Sequence, residues 1–367
     1  MGRGDQEASE HMYEVLMEVI RRADSGINIG YAILFEAVKT ISGIYPNRTL
    51  LDQAGSTIGR FISSENPNLK YIGIKALMMI VRDYPKYASE HQVAVIRCIN
   101  QESTHNDDTL KRKTLELLHR MTNPHNVEFI VEKLLENLQN TNDDSFRTEL
   151  VSRITQCAER YAPSNSWYIF SMIRIFEIAG DKVTTETSQT LMQLIAEGSG
   201  EEDEELDEQM RFDAVENFVD LLFQIDEKGE GETDVNVSSL LIQTMSWVLG
   251  EYSYLSEMAE QEEILHKLAN LCKNKMQDYE TIQSQLHKKD GQGIQDSEGD
   301  EREYLVGAMM KIVAQIGHCP PSISHLISHL KGSLSVNLHQ KCNEFLNLLK
   351  YPSGYLYSIV WFILFVW

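Results

Sequence analysis

The sequence predicts an all-α protein in which pairs of helices repeat along the chain as an α-solenoid. Three observations support this fold class. Helical periodicity of apolar residues runs through almost the whole chain, with no convincing alternating strand or hairpin pattern. Similar short segments recur at offsets of 41 and 36 residues. The 367 residues also exceed what one compact core usually holds, which favours a repeat array or two domains.

Residues 126–139 give the clearest helical pattern. Their apolar residues fall at i, i+3, i+4, i+7, i+8 and i+11, and charged residues occupy the opposite face. These apolar positions are Val127, Ile130, Val131, Leu134, Leu135 and Leu138. Residues 67–83 show the same kind of periodicity. Extended over the chain, the pattern predicts fifteen to seventeen helices, mostly joined by short loops.

Capping residues and prolines predict where several helices begin and end. Asn66 precedes Pro67, which is a favourable arrangement for a helix N-terminus. Asp143 is likewise a favourable capping residue, before the helix that contains Arg147. Prolines that cannot continue a helix follow three predicted helices, at Pro85, Pro124 and Pro163.

Three segments share one repeat pattern, at 68–77, 109–118 and 145–154. Each opens with a small polar residue, an apolar residue and a basic residue, and apolar residues recur five and eight positions after the first one. The basic residues are Lys70, Lys111 and Arg147. A weaker copy begins at Met210. This loose spacing, with two helices per unit, is typical of HEAT or armadillo-like solenoids.

The segment 26–41 reads as a helix that is apolar nearly all the way round. Past Tyr31 its strongly polar side chains are Glu36, Lys39 and Thr40, which form one narrow strip. A helix of this kind needs cover on more than one side. The repeat register therefore predicts that neighbouring repeats bury all of it except this strip, although a buried helix of a globular all-α core would show the same periodicity.

Composition excludes some classes of partner. The net charge is −22, from 55 acidic and 33 basic residues, so nucleic acid is not expected as a partner because phosphate binding needs clustered lysine and arginine. The five cysteines are widely spaced and odd in number. Together with the absence of a signal-peptide pattern, this favours a reducing compartment.

Composition also divides the chain into segments. We expect a flexible N-terminus, a solenoid trunk that contains an acidic loop near 198–207, a flexible linker, a C-terminal helical segment and an apolar tail. Their boundaries are 1–7, 8–287, 288–302, 303–350 and 351–367. The tail is too short for an ordinary membrane span, which needs about 20 residues. We interpret it as an atypical, aggregation-prone end rather than an anchor.

No motif predicts catalysis. His318, Cys319, His325 and His329 are close in sequence, and the last two lie at i and i+4. Leu326 stands where a zinc hydrolase of this spacing has glutamate, so ordinary helix surface is the better interpretation. The basic triplet 111–113 would point in several directions on a helix. The Arg-Gly-Asp match at 3–5 is a coincidence in a chain without a secretion signal. We therefore predict no catalytic, cofactor or metal residues and name no partner-binding residues.

Five stretches occur in order at fitting distances: GYAILFEAV (30–38), NLKYIGIKAL (68–77), DDTLKRKTLELL (107–118), AERYAPSNSWYI (158–169) and WVLGEY (247–252). Together they resemble the trunk of the large adaptin chains of vesicle-coat adaptor complexes. The gamma-like branch fits best, and within it the epsilon type of the clathrin-independent trans-Golgi adaptor. The resemblance covers roughly residues 8–280 and, less closely, 303–350. These are packing motifs, so they assign no functional contact to named residues.

The resemblance implies a non-enzymatic scaffold that needs no cofactor. Its expected partners are a beta-type large chain, a medium chain and a small chain in a heterotetramer, an Arf-type small GTPase, and cargo sorting signals bound by the complex. The expected location is cytoplasmic, peripherally on trans-Golgi network, endosome and vesicle membranes. Because trunks of this family are much longer, we expect an interior section of a trunk or an alternative isoform.

Two alternatives remain open from the sequence. The first is another HEAT or armadillo-type binding scaffold, such as a nuclear-transport receptor or a phosphatase scaffold, which would share the repeats but not GYAILFE or WVLGEY. The second is an enzyme with an unrecognised site among His318, Cys319, His325 and His329.

Overall fold

A computed structural model describes residues 5–23, 28–100, 108–198, 204–229, 237–286, 301–333 and 335–350. These residues form sixteen α-helices and two short 3-10 helices, Gly180–Lys182 and Ser253–Leu255, and contain no strand. The α-helices are α1 Gln6–Ala23, α2 Asn28–Gly43, α3 Arg48–Ile62, α4 Pro67–Asp83, α5 Lys86–Asn100, α6 Asp108–Met121, α7 Val127–Gln139, α8 Asp144–Tyr161, α9 Asn165–Ala179, α10 Thr185–Glu197, α11 Glu204–Gly229, α12 Ser239–Tyr252, α13 Gln261–Leu286, α14 Glu301–Ile316, α15 Pro321–Leu330 and α16 Val336–Leu348.

The chain divides into two compact units, Met1–Leu134 and Leu135–Trp367, with the boundary inside α7. In the first unit, successive helices pair as α1 with α2, α3 with α4, and α5 with α6. The odd-numbered helices α1, α3 and α5 contact one another in order, and so do α2, α4 and α6. The first unit is therefore a two-layered stack of helix pairs.

The second unit repeats this two-layered arrangement. The helices α9, α11, α13 and α15 contact one another in order along one layer, and α10, α12, α14 and α16 do so along the other. This sequential stacking is the architecture of an α-solenoid. The predicted all-α, HEAT or armadillo-like fold class is thus confirmed.

The predicted helix starts and apolar faces agree with the structure. The side chain of Asn66 accepts a hydrogen bond from the backbone N–H of Asn68, and that of Asp143 accepts one from Phe146. Such caps contribute about 1 kcal/mol each. The helices before the three stop prolines end at Asp83, Met121 and Tyr161. All six apolar positions predicted for the helix at 126–139 are at most 1% exposed.

Two basic residues of the repeat pattern, Arg147 and Arg211, have a structural role that the sequence did not indicate. Arg147 donates from Nη1 to the carbonyl oxygens of Leu138 and Thr141, both at 3.2 Å, and from Nη2 to that of Ile178 at 2.5 Å. Leu138 lies in the last turn of α7, Thr141 follows that helix by two residues, and Ile178 lies in the last turn of α9. In the weaker repeat copy, Arg211 donates in the same way to the last turn of α10. A guanidinium suits this position because terminal carbonyls lack intrahelical partners and carry partial negative charge.

Two glycines permit close helix contacts. A Cβ atom added at Gly73 in α4 would lie 2.9 Å from the backbone nitrogen of Ile62, at the end of α3. One added at Gly250 in α12 would lie 3.0 Å from the Cα atom of Ala308 in α14. Both glycines belong to stretches that carry the family resemblance. In these two stretches, the glycines serve helix packing rather than ligand contact.

Several segment boundaries differ from the expectation or lie outside the described residues. Gln6 and Glu7 are already helical, and residues 204–207 of the expected acidic loop begin α11. The helix α14 begins at Glu301 and packs against α12 and α13, so this part of the C-terminal segment continues the second unit. The remaining acidic-loop residues 199–203, most of the expected linker (288–300) and the apolar tail 351–367 lie outside the described residues.

Candidate partner-binding surfaces

An apolar groove runs between α1 and α2, and we call it the α1–α2 groove. It consists of two adjoining hollows of about 590 and 440 Å³ that share Val19 and Ile33. Its apolar lining residues are Val15, Leu16, Val19, Ala23, Ile29, Ala32, Ile33 and Ala37. The exposed fractions of Val15, Ile29 and Ile33 are 63%, 71% and 45%. Large apolar side chains exposed together in a groove are typical of a surface that binds another molecule.

Charged residues form the rim of the α1–α2 groove. Glu18 accepts hydrogen bonds from both Arg21 and Arg22, at 2.8 and 2.5 Å. These two hydrogen bonds lower the pKa of Glu18 to about 2. On the other side of the groove, Glu36 pairs with Lys39 at 3.1 Å. The rim is therefore charged at neutral pH, and an apolar floor with a charged rim suits an amphipathic helix better than a reacting substrate.

The prediction that neighbouring repeats bury all of the apolar helix at 26–41 is wrong for one of its faces. The helix α2 does contact α1, α3 and α4, and Leu34 and Val38 are fully buried. Ile29 and Ile33 nevertheless remain exposed, on the face of α2 that lines the α1–α2 groove. The covered arrangement is found instead in α12, where residues 240–246 and 248–250 are buried among α9, α10, α11 and α14.

The histidine and cysteine residues weighed for a metal site do not converge. His325 and His329 are both exposed on α15. His318 is also largely exposed, and its Nε2 atom is 3.8 Å from a carboxylate oxygen of Glu262. Burial raises the pKa of the Cys319 thiol, which disfavours the thiolate form that binds metals. No group of three or more His, Cys, Asp or Glu residues suited to a metal ion occurs in the described part of the chain.

The other motifs considered in the sequence also lack the geometry of a site. Lys113 forms an ion pair with Glu116 at 2.7 Å on the surface of α6, beside the partly exposed Lys111 and Arg112. Two residues of the Arg-Gly-Asp match lie outside the described residues, and its aspartate, Asp5, accepts a hydrogen bond from the backbone N–H of Ala8 at the start of α1. Within the described residues, no helix is both long and apolar enough to cross a membrane.

Stacked helix pairs with an exposed apolar groove define a binding scaffold of the α-solenoid class. Comparison with known families identifies the particular family within this class. Residues 1–353 match the family described as the adaptin N terminal region, and the chain belongs to this family.

The chain is more similar to the AP-4 epsilon subunits of Arabidopsis thaliana and human than to an AP-1 gamma subunit that aligns over the same share of the chain. The chain is 38% identical over 355 residues to the AP-4 complex subunit epsilon of Arabidopsis thaliana, covering 95% of the chain and 34% of the relative. It is 36% identical over 348 residues to human AP-4 complex subunit epsilon-1, covering 95% of the chain and 28% of the relative. Identity to the AP-1 complex subunit gamma-2 of Arabidopsis thaliana is 24%, covering 95% of the chain and 37% of the relative. The chain therefore spans about a third of the length of the curated relatives it matches.

The fold also resembles that of one chain in a known assembly. One chain of a structure described as a homology model of the full-length AP-3 complex, in an intermediate open conformation, aligns with a TM-score of 0.56 and 14% identity. The alignment covers 98% of the present chain and 63% of the other. At this identity the similarity concerns the fold alone, and it agrees with the two-layered helix stacks described above.

Proposed function

We propose that this chain serves as a non-enzymatic scaffold in the large epsilon-type subunit of a heterotetrameric adaptor complex, in vesicle-mediated protein transport and cargo sorting. The observation that carries the proposal is identity of 36–38% to AP-4 epsilon subunits along 95% of the chain. The stacked helices and the exposed α1–α2 groove support it, since solenoid stacks and exposed apolar grooves are typical of proteins that bind other proteins.

The expected partners are a beta-type large chain, a medium chain and a small chain. Affinity capture of the tagged chain from cells, followed by mass spectrometry, tests this directly. Recovery of adaptor subunits in stoichiometric amounts would support the proposal. Recovery of nuclear-transport cargo or a phosphatase catalytic subunit, with no adaptor subunit, would refute it in favour of another solenoid scaffold.

The α1–α2 groove is proposed to contribute to this assembly by receiving an amphipathic helix of a partner subunit. Ile33→Asp places a charge in its apolar floor, where it would disfavour helix docking. Val93→Asp is a matched control, because Val93 is 62% exposed on α5 and does not line the groove. We expect reduced recovery of at least one adaptor subunit for Ile33→Asp alone. Equal recovery for both variants would exclude the groove from the assembly.

Recruitment to membranes is the remaining part of the proposal. The complex is proposed to lie on the cytosolic face of trans-Golgi network and endosomal membranes, to depend on an Arf-type small GTPase, and to select cargo with sorting signals. Incubating cytosol and Golgi-enriched membranes with a non-hydrolysable GTP analogue should move the tagged chain to the membrane fraction. A distribution unaffected by the nucleotide would contradict dependence on a GTPase.

A further inference from the structure

A second groove, between α9 and α11 in the second unit, combines exposed apolar side chains with carboxylates. We call it the α9–α11 groove, and its volume is about 440 Å³. Its apolar contributors are Phe170 on α9 and Met258 in the loop before α13, with exposed fractions of 46% and 59%. Both side chains are large and remain open to solvent, so the groove offers apolar area to a binding partner.

Three carboxylates line the same groove from one face of α11. Asp213, Glu216 and Asp220 lie at i, i+3 and i+7, which places them in a single stripe. Seven residues of helix correspond to about 10 Å along the axis. Asp213 and Glu216 are half-buried, whereas Asp220 is exposed. The stripe therefore presents negative charge along about two turns, beside the apolar side chains.

Among the described residues, the groups that donate to these carboxylates are all neutral. Asp213 accepts from Ser166 Oγ at 2.6 Å and Gln209 Nε2 at 2.8 Å, Glu216 accepts from the backbone N–H groups of Glu257 and Met258, and Asp220 accepts from Gln224 Nε2 at 2.7 Å. None of the three forms an ion pair with a cation of the described residues. Arg174, one turn beyond Phe170, lies over the ring of Phe170 at 5.9 Å from its centroid and does not line the groove. The carboxylates are thus held in position, and no cation of the described side chains pairs with them.

We infer that the α9–α11 groove binds a basic amphipathic helix of a partner protein. A helix with two Arg or Lys residues at i and i+7, about 10 Å apart, matches the length of the carboxylate stripe. A large apolar residue at i+3 or i+4 of that helix lies on the same face and would contact Phe170 and Met258. The inference deepens the proposed scaffold function, on which it rests, by stating the chemistry of one partner segment.

Fluorescence anisotropy with the full chain tests this inference. The probe is a fluorescein-labelled, alanine-rich helical peptide with two arginines seven residues apart and leucine and phenylalanine between them. We expect saturable binding that weakens as salt is added. The triple variant Asp213→Asn, Glu216→Gln and Asp220→Asn keeps side-chain size and removes three charges. At a fraction of a kcal/mol per partly exposed ion pair, it should bind about tenfold more weakly.

Two further variants show whether a loss of binding comes from the groove itself, rather than from lower overall negative charge or from misfolding. The control triple variant Glu204→Gln, Glu205→Gln and Glu208→Gln removes the same charge from the first turns of α11, outside the groove, and should bind like wild type. Met258→Ala alters only an exposed side chain, so it should weaken binding without loss of helical circular dichroism. Equal losses in the two triple variants would overturn the inference, because they would indicate non-specific attraction.

The inference is also overturned if no saturable binding occurs, or if a peptide with glutamine in place of both arginines binds as tightly. Capture of adaptor subunits from cells, with the wild-type chain and the same variants, distinguishes failure of the groove inference from failure of the proposed function. A wild-type chain that binds the peptide through the groove but captures no adaptor subunit would refute the proposed function and leave the groove as a basic-helix site. A chain that captures adaptor subunits but not the peptide would refute the groove alone.

Discussion

Replacing Arg147 by alanine removes the side chain that joins the C-terminal ends of α7 and α9. Its guanidinium donates three hydrogen bonds, two of 3.2 Å and one of 2.5 Å, to carbonyls of residues up to 31 positions away. A hydrogen bond from a charged donor contributes about 1.5–3 kcal/mol, but water can replace part of it at these partly exposed helix ends. We therefore expect Arg147→Ala to lower the free energy of unfolding by about 2–3 kcal/mol.

Tryptophan fluorescence isolates the unit that contains this contact. Trp167 and Trp247, the tryptophans within the described residues, both lie in the second unit, so their signal reports on it. For a unit of this size, about 2–3 kcal/mol corresponds to a fall in Tm of roughly 4–12 °C. Urea and thermal unfolding of the wild type and Arg147→Ala give both quantities.

Two matched variants sharpen the test. Arg147→Lys retains the charge but not the planar fork that reaches carbonyls of two helices, so it should recover only part of the loss. Arg160→Ala removes an exposed arginine from the same helix, α8, and should cost much less. The reasoning is refuted if Arg147→Ala unfolds within about 0.5 kcal/mol of wild type, or if lysine restores full stability.

Two predictions concern the first unit, and urea unfolding followed by circular dichroism checks both. Gly73→Ala should cost about 1–3 kcal/mol, because its Cβ would lie 2.9 Å from the Ile62 backbone nitrogen. Gly43→Ala, which would meet nothing within 4 Å, should be neutral or slightly stabilising, and equal effects at the two sites would contradict this account. Burial lowers the pKa of His91 from its usual 6.5, so the unfolded chain gains a proton first as pH falls, and stability is lost from about pH 6.5 downward. His91→Gln should lose less stability than wild type between about pH 7.5 and about pH 5.5, whereas parallel pH profiles would exclude this residue as a cause.

Local features of the chain were predicted well because their causes are local. Capping by Asn66 and Asp143 depends on residues two or three positions apart, and a proline ends a helix through its own ring. The apolar period at 126–139 likewise requires only a window of the sequence. The repeat register also predicted the fold class, because helix pairs must stack on one another to bury their apolar faces.

The candidate surfaces were not predicted, because they depend on which residues distant in sequence meet. The pattern of α2 shows that most of its faces are apolar, but not that Ile29 and Ile33 stay exposed while the similar helix α12 is enclosed. Carboxylates are abundant along the chain, so sequence alone does not single out Asp213, which Ser166 contacts across 47 positions.

The sequence by itself determined most of the helices, several of their ends, the repeat architecture and the family, since these follow from short-range periodicity, capping and matching stretches. Only the tertiary structure decided which apolar faces remain open, which carboxylates lie together unpaired with any cation of the described residues, and that Arg147 binds carbonyls near the ends of two helices. The physical reason is that periodicity states which face of a helix avoids water, whereas the contacts between helices decide what covers that face.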